Sequence, residues 1–541
     1  MLILLLAIQT AAIAYQVRAV GLTVDEPSHM LSAYLYWRGE DNLKPGDMPP
    51  FIKLLGGWPA ILLKPPLPVS SPSWKTGHEW NISAEMLNSM RPPELHRWIH
   101  SSRAPFVLIS PLITLLLWYW ARQLWDPQTA LVLAALWVVE PTALGHGGLF
   151  KNDVSATLGY LAFWYTGWRF WRSPDWRNAL WVSLALSLAV LTKMSMLVLL
   201  PLAPVLLAIG ALRKRRWPEV LLLPAGSLSI AYGICSAACQ FQMRHLLYEE
   251  SQTLLLPSQA RLLLLPSRYV DGALSLLFEN SNLTLVYLLG RIHPGGSYLY
   301  FLVGLLFKSP LPFLLLLVAA IGLAARPRFF TTQRLTLFFL LFPPVLYFAL
   351  ASVSALQLGY RLVLPGIPFL ILLCGLPVSL AFRSGRAWIP LSALVLAALS
   401  TISQYPYTIS YFNCLSPHFQ DRLQRLSDSN IDWGHGLPAL RQWCLDHQVR
   451  RIRLCFFGND PPHRHFPDEE NMVELIAPPW NDELARGPEL RPEPGVWAVS
   501  ATLLTGQFFD LKYRNYYRVF KERQPDDVVA GSILIYRIPE R

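Results

Sequence analysis

Charge is scarce in this sequence. Asp, Glu, Lys and Arg make up 15% of its 541 residues, where a soluble protein carries roughly 25%. That scarcity argues against the string of soluble domains that the length alone would suggest. Cysteine is scarce as well: Cys235, Cys239, Cys374, Cys414, Cys444 and Cys455, with no CxxC pair among them. Nothing in this spacing supports a zinc site. Cys444 and Cys455 would be placed to pair if their segment lay in an oxidising compartment; buried free thiols are the simpler expectation. No low-complexity tract and no internal repeat is visible. No positive charge precedes the apolar stretch 2–14, so residues 1–20 read as a first membrane span rather than a signal peptide.

What is abundant is apolar. Hydrophobic residues reach 53% and come in blocks such as 104–120, 179–191, 194–212 and 387–402. About 20 mostly apolar residues cross about 30 Å of hydrocarbon. The net charge of +11 sits in short clusters between the blocks: Arg122; Arg172 and Arg177; Arg213, Lys214, Arg215 and Arg216; Arg326, Arg328 and Arg334; Arg383 and Arg386. Short Lys/Arg-rich loops mark the cytoplasmic side. No aromatic platform accompanies them, so the expected partner is a lipid bilayer and not nucleic acid. With the basic clusters inside, eleven spans follow: 1–20, 104–121, 128–140, 153–171, 179–191, 194–212, 217–240, an eighth broken near Pro310 and ending by about 325, then 335–350, 362–381 and 387–403. Segments 21–103 and 241–297 become long outer loops, and 404–541 falls outside.

The expected fold class is an α-helical polytopic membrane protein with a small C-terminal extracytoplasmic α/β domain. The division expected is 1–416 and 417–541. In the second part, 449–457, 495–503 and 528–538 read as strands and 436–446 as a short helix.

Ionisable residues at a membrane boundary are costly and mark function by default. Under this topology they gather on the outer side. Asp25, Glu26 and His29 follow the first span. Adjacent carboxylates offer a general base, and Asp25 before Pro27 equally fits a helix cap. Met48-Pro49-Pro50-Phe51-Ile52-Lys53 reads as an extended approach and a helix start, with Lys53 a ligand or a snorkelling side chain. His146, Asn152 and Asp153 lie before the fourth span, where Asp153 also suits a cap. Lys193 lies between the fifth and sixth spans. Lys308-Ser309-Pro310 and Gln357-Leu358-Gly359-Tyr360-Arg361 lie at the ends of later ones. The outer acids are then Asp25, Glu26 and Asp153. The outer cations are Lys53, Arg103, Lys193, Lys308 and Arg361. These cations run against the positive-inside trend and suggest an anionic ligand, with phosphate the natural candidate. A carboxylate base beside a phosphate clamp suggests group transfer from a phosphate-linked donor. The alternative is a transporter or flippase of a lipid-linked anion, which would call for broken helices at the midplane in paired halves.

The segment VDEPSHMLSAYLYWRGEDNLKPGDMPPFIKLLGGWPAILL resembles the first outer loop of GT-C class membrane glycosyltransferases, of the dolichyl-phosphate-mannose protein mannosyltransferase and aminoarabinose transferase types. GHGGLFKNDVSATL, LTKMS, FKSPLP and LGYRLVLPGIPF add to the likeness. PYTISYFNCLS with SDSNIDWGHGLPALRQW resembles a bacterial subgroup with an outer C-terminal domain. The sequence departs from the family at Met48, where the family often has His and where Asp47 is a substitute, and at Lys151-Asn152-Asp153, which replaces a Thr-Thr-Asp-like run. The resemblance implies an inverting transfer of a sugar from a polyprenyl-phosphate donor to an acceptor hydroxyl outside the cytoplasm, the acceptor being a protein, a lipid or a glycan. It implies Asp25 as base and Lys53, Lys193 and Arg361 as phosphate clamp, with Arg103 and Lys308 behind them. Asp153 would orient the acceptor or the base. Asp432 and Trp433 either shape an acceptor groove or open a helix. No cofactor is required, and no ligand spacing supports a divalent metal.

Overall fold

The computed structural model describes residues 1–40, 48–241, 243–245, 264–266, 269, 272–273, 284–327, 333–466 and 472–540. Helix α1 (Leu2–Ala19) leads into α2 (Glu26–Arg38), α3 (Pro50–Leu63), α4 (Pro72–Thr76), α5 (Glu79–Ser89) and α6 (Pro92–Arg103). The paired prolines act as expected: Pro49 is the extended cap and Pro50 the first residue of α3, a position that needs no backbone N–H. Then come α7 (Ile109–Leu124), α8 (Pro127–Val138), α9 (Pro141–His146), α10 (Asp153–Arg172), α11 (Trp176–Thr192), α12 (Leu199–Arg213) and α13 (Glu219–Ala238). Later helices run over Tyr300–Lys308, Leu311–Ala324, Arg334–Val353, Ile367–Leu373, Gly375–Arg383 and Trp388–Ile402. Helical structure therefore lies over each expected span.

Among the described residues, six helical stretches are each long and apolar enough to cross a membrane: Leu2–Ala19, Pro92–Leu124, Met194–Arg213, Glu219–Ala238, Arg334–Val353 and Tyr360–Arg383. Large apolar side chains point outward from the bundle: Leu221, Val318, Val345 and Leu399 are all more than half exposed. Such a surface is stable only against lipid. Helix α10 is the opposite case, with nearly its whole circumference buried by protein.

The expected break at Pro310 is present. Ser309 is extended and Pro310 caps the next helix, because the proline ring disfavours helical geometry at the residue before it. The carbonyls this strands find a partner in Asn413. Its side-chain amide donates to Leu306 O at 2.7 Å and Ser309 O at 2.8 Å. The break thereby ties the bundle to the segment after the last helix.

Two short antiparallel pairs, β1 (Met243–His245) with β2 (Leu264–Pro266) and β3 (Leu285–Leu288) with β4 (Arg291–Pro294), precede the C-terminal sheet. That sheet has the order β6-β5-β7-β9-β8, formed by β5 (Ile452–Cys455), β6 (Val473–Leu475), β7 (Gly495–Ser500), β8 (Asp527–Val529) and β9 (Ile533–Ile538). Strand β5 pairs in parallel with β6 and β7, while β9 is antiparallel to β7 and β8. The helix Leu437–Asp446 packs Leu437, Leu440 and Trp443 onto Ile452, Leu454, Ala498 and Ile535. The stretch 528–538 is thus a hairpin and not one strand. Ala530 and Gly531 both have positive φ, +54° and +63°, which turns the chain back. Cys444 and Cys455 are buried and are not joined by a disulfide, so the pairing considered for them does not occur.

Candidate active site

The chain leaves α1 extended and is held by the C-terminal part of the protein. Gly21 N donates to His435 O at 2.9 Å and Val24 N to Trp433 O at 3.0 Å. Leu22 N donates to Asp460 Oδ2 at 2.7 Å, and Asn459 Nδ2 donates to Val24 O at 2.8 Å. The approach is close enough to need glycine: a Cβ on Gly21 would come within 2.5 Å of Asp460 Oδ2. Three of the five residues between α1 and Asp25, namely Gly21, Leu22 and Val24, are therefore held by residues more than 400 places downstream, and the segment leads directly to Asp25 and Glu26.

The two acids have different surroundings. Glu26 is fully buried. It accepts from Arg103 Nε at 2.8 Å and Nη2 at 2.5 Å, from Thr23 N and Oγ1, and from Phe150 N at 2.8 Å. Arg103 places its remaining N–H groups on the carbonyls of Val17, Val20 and Gly21. Burial alone would raise the Glu26 carboxyl, but Arg103 and the two backbone donors lower it. Neither group has a lone pair or N–H left for a substrate. This corrects the expectation of Glu26 as a catalytic acid and Arg103 as a phosphate ligand: they fasten the end of α1 to α6.

Asp25 stands at the cap position of α2, yet its side chain makes no cap hydrogen bond. Its carboxylate instead pairs with Lys151 Nζ and lies 3.7 Å from Arg361 Nη2, and its side chain is 23% exposed. Burial would raise the Asp25 carboxyl, but the charges of Lys151, Arg361 and His29 outweigh it and hold it at about 2. Asp153, the first residue of α10, is completely buried between Lys193 Nζ at 2.6 Å and Arg361 Nη1 at 2.8 Å. Arg361 Nε also donates to Ser429 Oγ at 3.1 Å. Beneath these charges lies Trp433. Its ring centre is 4.1 Å from Arg361 Cζ, 5.3 Å from Lys151 Nζ and 5.5 Å from the His146 ring. Three cations thus face two carboxylates, and Asp25 is the one of those two that reaches the surface.

Other expected site residues lie elsewhere or act otherwise. Lys308 is buried and donates to Ile409 O at 2.9 Å and Asn430 O at 2.5 Å, with its Nζ 4.7 Å from the Phe412 ring centre. It anchors two backbone segments and is not placed to bind phosphate. Lys53 is buried on α3, the helix packed against α2, and its carbonyl accepts the Trp37 indole N–H at 2.9 Å. Met48 is buried, and Asp47 lies outside the described residues. His29 Nδ1 is 3.4 Å from Phe150 O. His146 is buried with no partner on Nδ1, and its burial lowers it to about 3. Tyr360 pairs its hydroxyl with Ser309 Oγ at 3.1 Å, and its N–H donates to Asn430 Oδ1. Asp432 opens no helix. Its carboxylate receives Gly434 N at 3.1 Å and Thr502 N at 3.4 Å, while Gly436 caps the helix that follows. Trp433 is almost fully buried by the cations and backbone around it, so it does not line an acceptor groove.

Sequence reasoning passed over two groups. Lys151 was visible as one more cation on the expected outer side. Asp428 belongs to the bend that supplies Ser429 and Asn430; burial raises its carboxyl to about 7, against Arg361 and with Asp25 adding to the rise. Among the described residues no three His, Cys, Asp or Glu side chains converge as a metal-ligand set.

Residues 97–236, from α6 through α13, match the family model described as dolichyl-phosphate-mannose-protein mannosyltransferase. The match supports a glycosyltransferase role. It includes Asp153 and Lys193 and leaves out Asp25 and Arg361. No curated protein sequence matches the chain. Among solved structures, ArnT from Cupriavidus metallidurans bound to undecaprenyl phosphate is similar over 98% of this chain and 97% of its own, at 13% identity and a TM-score of 0.47. The oligosaccharyltransferase of Archaeoglobus fulgidus in its apo form is similar over 89% of this chain and 65% of its own, at 13% identity and a TM-score of 0.44. The same archaeal protein, AglB, is also known in complex with an inhibitory peptide and a dolichol-phosphate, at 12% identity and a TM-score of 0.38. At these scores the functional argument rests on the residues and on the family model.

Proposed function

We propose that this protein transfers a sugar from a polyprenyl-phosphate donor to an acceptor hydroxyl, with inversion, at the outer face of the membrane. One observation carries the proposal: Asp25 is a partly exposed carboxylate set among Lys151, Arg361 and Lys193, whose charge Asp25 and Asp153 leave uncompensated by one while the neighbouring Asp428, raised to about 7, keeps its proton. A lipid phosphate balances that excess. The acceptor oxygen forms a bond to the anomeric carbon while the bond from that carbon to the phosphate oxygen breaks, its electron pair leaving with the phosphate. Asp25 takes the acceptor proton and later gives it to water. A single carboxylate is enough. A glycosidase needs a second to protonate a poor leaving group, but a phosphate monoester, with a second pKa of about 6, departs as an anion and needs positive charge more than a proton. Arg361 supplies a planar fork for the phosphate, and Asp153 holds Arg361 and Lys193 in place.

The test is transfer of labelled sugar from a panel of polyprenyl-phosphate sugars in membranes, comparing wild type with Asp25→Asn. Wild-type transfer that falls about a hundredfold or more in the variant is the expected result for loss of a general base. Equal transfer by both removes Asp25 from the chemistry. No transfer by wild type, together with movement of a lipid-linked anion across liposomes, establishes the transporter alternative. Sidedness has its own handle. Cys414 is exposed while the other five cysteines are buried, so a membrane-impermeant maleimide added outside intact cells labels it if the C-terminal part is extracytoplasmic.

A further inference from the structure

Lys151 occupies the turn between α9 and α10, with its side chain 7% exposed. It has two neighbours of consequence, the Asp25 carboxylate and the face of Trp433. This arrangement works against the chemistry proposed for Asp25. With Lys151 in place the carboxyl stays at about 2, and a base that weak is a poor acceptor for an alcohol proton. In this arrangement Lys151 occupies the carboxylate that an acceptor hydroxyl would have to reach.

The three cations are not equally fixed. Arg361 is divided among Asp153, Ser429 and Trp433. Lys193 is paired with the completely buried Asp153. Lys151 has one carboxylate partner, the more exposed of the two, and carries a point charge on a flexible stem that can turn to a new anion. The groups that face Asp25 are Lys151 and Arg361 from neighbouring segments, His29 from its own helix and Asp428 from the C-terminal bend. Those that face Lys151 are Asp25, Asp153, His146 and Trp433. None of these is a second anion at the surface for which Lys151 would leave Asp25.

We infer that Lys151 is a donor-phosphate ligand that changes partner, holding Asp25 in the empty enzyme and the lipid phosphate in the loaded one, so that arrival of the donor releases the base. The inference rests on the transferase reading for the role of Asp25, but the phosphate contact is testable without it. Once Lys151 turns away, Asp25 loses its nearest positive charge and gains a nearby negative one. Both changes strengthen it as a base.

The experiment measures binding of a sugar-free polyprenyl phosphate, and of the matching polyprenol as a control, to the full chain in nanodiscs. Wild type, Lys151→Met and Lys151→Arg are compared. Losing one charge-assisted contact weakens the phosphate lipid about tenfold in the Met variant, leaves the polyprenol unchanged, and is largely restored by Arg. In transfer assays kcat/KM of wild type stays flat on the acid side down to about pH 4. In Lys151→Met an acid limb appears near the ordinary carboxylate range of about 4, and KM rises more than kcat falls. The limb alone would also follow from the resting ion pair with Asp25; the loss of phosphate selectivity, with rescue by Arg, is what a purely structural role would not produce. Lys151→Gln supplies the same comparison if the Met variant does not fold. Polyprenyl phosphate bound equally by wild type and the uncharged variants overturns the inference. Lys151-dependent binding by a wild type that transfers no sugar upholds the phosphate contact and overturns the transferase reading instead.

Discussion

Trp433 lies beneath Arg361, its ring centre 4.1 Å from the guanidinium carbon. Arg361 belongs to the segment that enters a membrane helix, and Trp433 to the chain beyond the last one. A ring buried this completely has no free face for a sugar. It acts as a floor that orders Arg361 and Lys151, with cation–π energies of about 1–2 kcal/mol when such contacts are desolvated. Trp433→Phe keeps a π face and is expected to retain transfer within a few-fold. Trp433→Ala is expected to lower kcat/KM about tenfold or more, with the loss mainly in KM for the donor. Equal loss in the two variants, or none in either, removes the floor role.

The Asp460 carboxylate that accepts Leu22 N also accepts from Arg464 Nη1 at 2.8 Å and sits 2.8 Å from His465 Nε2. It is anchored and cannot yield easily to a methyl group at Gly21. Gly21→Ala is therefore expected to displace the residues before Asp25 and to cut kcat while leaving the helical bundle intact. Circular dichroism and detergent extraction report the bundle, and transfer assays report the site. Full activity in a folded Gly21→Ala would show that the C-terminal contacts do not position Asp25.

Much of this arrangement is legible in the sequence because the membrane imposes simple patterns. Apolar blocks give the helices, and Pro310 gives the break. The ionisable residues expected on the outer side include Asp25, Asp153, Lys193 and Arg361, which the structure gathers into one cluster. What is not legible is which charges serve the backbone. Arg103 and Lys308 look like ligands from their position, yet each meets carbonyls that only the folded chain brings near: Val17, Val20 and Gly21 for one, Ile409 and Asn430 for the other. Trp433 is illegible for the same reason, since its neighbours Arg361, Lys151 and His146 are all distant in sequence. The hairpin at 530–531 did leave a signal, a glycine in the middle of an otherwise β-rich run.

The Glu26–Arg103 pair gives a stability prediction separable from catalysis. Removing one member of a buried pair leaves the other charge without compensation, at a cost of about 3–5 kcal/mol. Glu26→Gln is expected to lower Tm by several degrees in detergent at pH 7. Because the folded state holds Glu26 below its ordinary value, its contribution is present above about pH 4.3 and fades as pH falls further. The Tm difference between wild type and Glu26→Gln should then shrink below that pH. A difference that stays constant down to pH 3 would mean that the carboxylate charge is not what stabilises.

Asp428 carries the opposite sign. It is buried, held at φ +57°, and its carboxyl is raised to about 7, against about 3.9 in an unfolded chain. The folded state therefore keeps a proton that the unfolded state gives up. The stability this provides is full below about pH 4 and declines as pH rises toward 7. Asn is uncharged and tolerates the left-handed conformation that Asp428 adopts. Asp428→Asn should leave Tm almost unchanged at about pH 3.5, below the unfolded carboxylate value, and raise it most at pH 8, where the native carboxylate faces Asp25. Differential scanning fluorimetry at the two pH values reads this directly. A gain of equal size at both would place the effect in packing rather than charge, and a loss at pH 8 would mean that the ionised carboxylate is paired more strongly with Arg361 than its burial penalises.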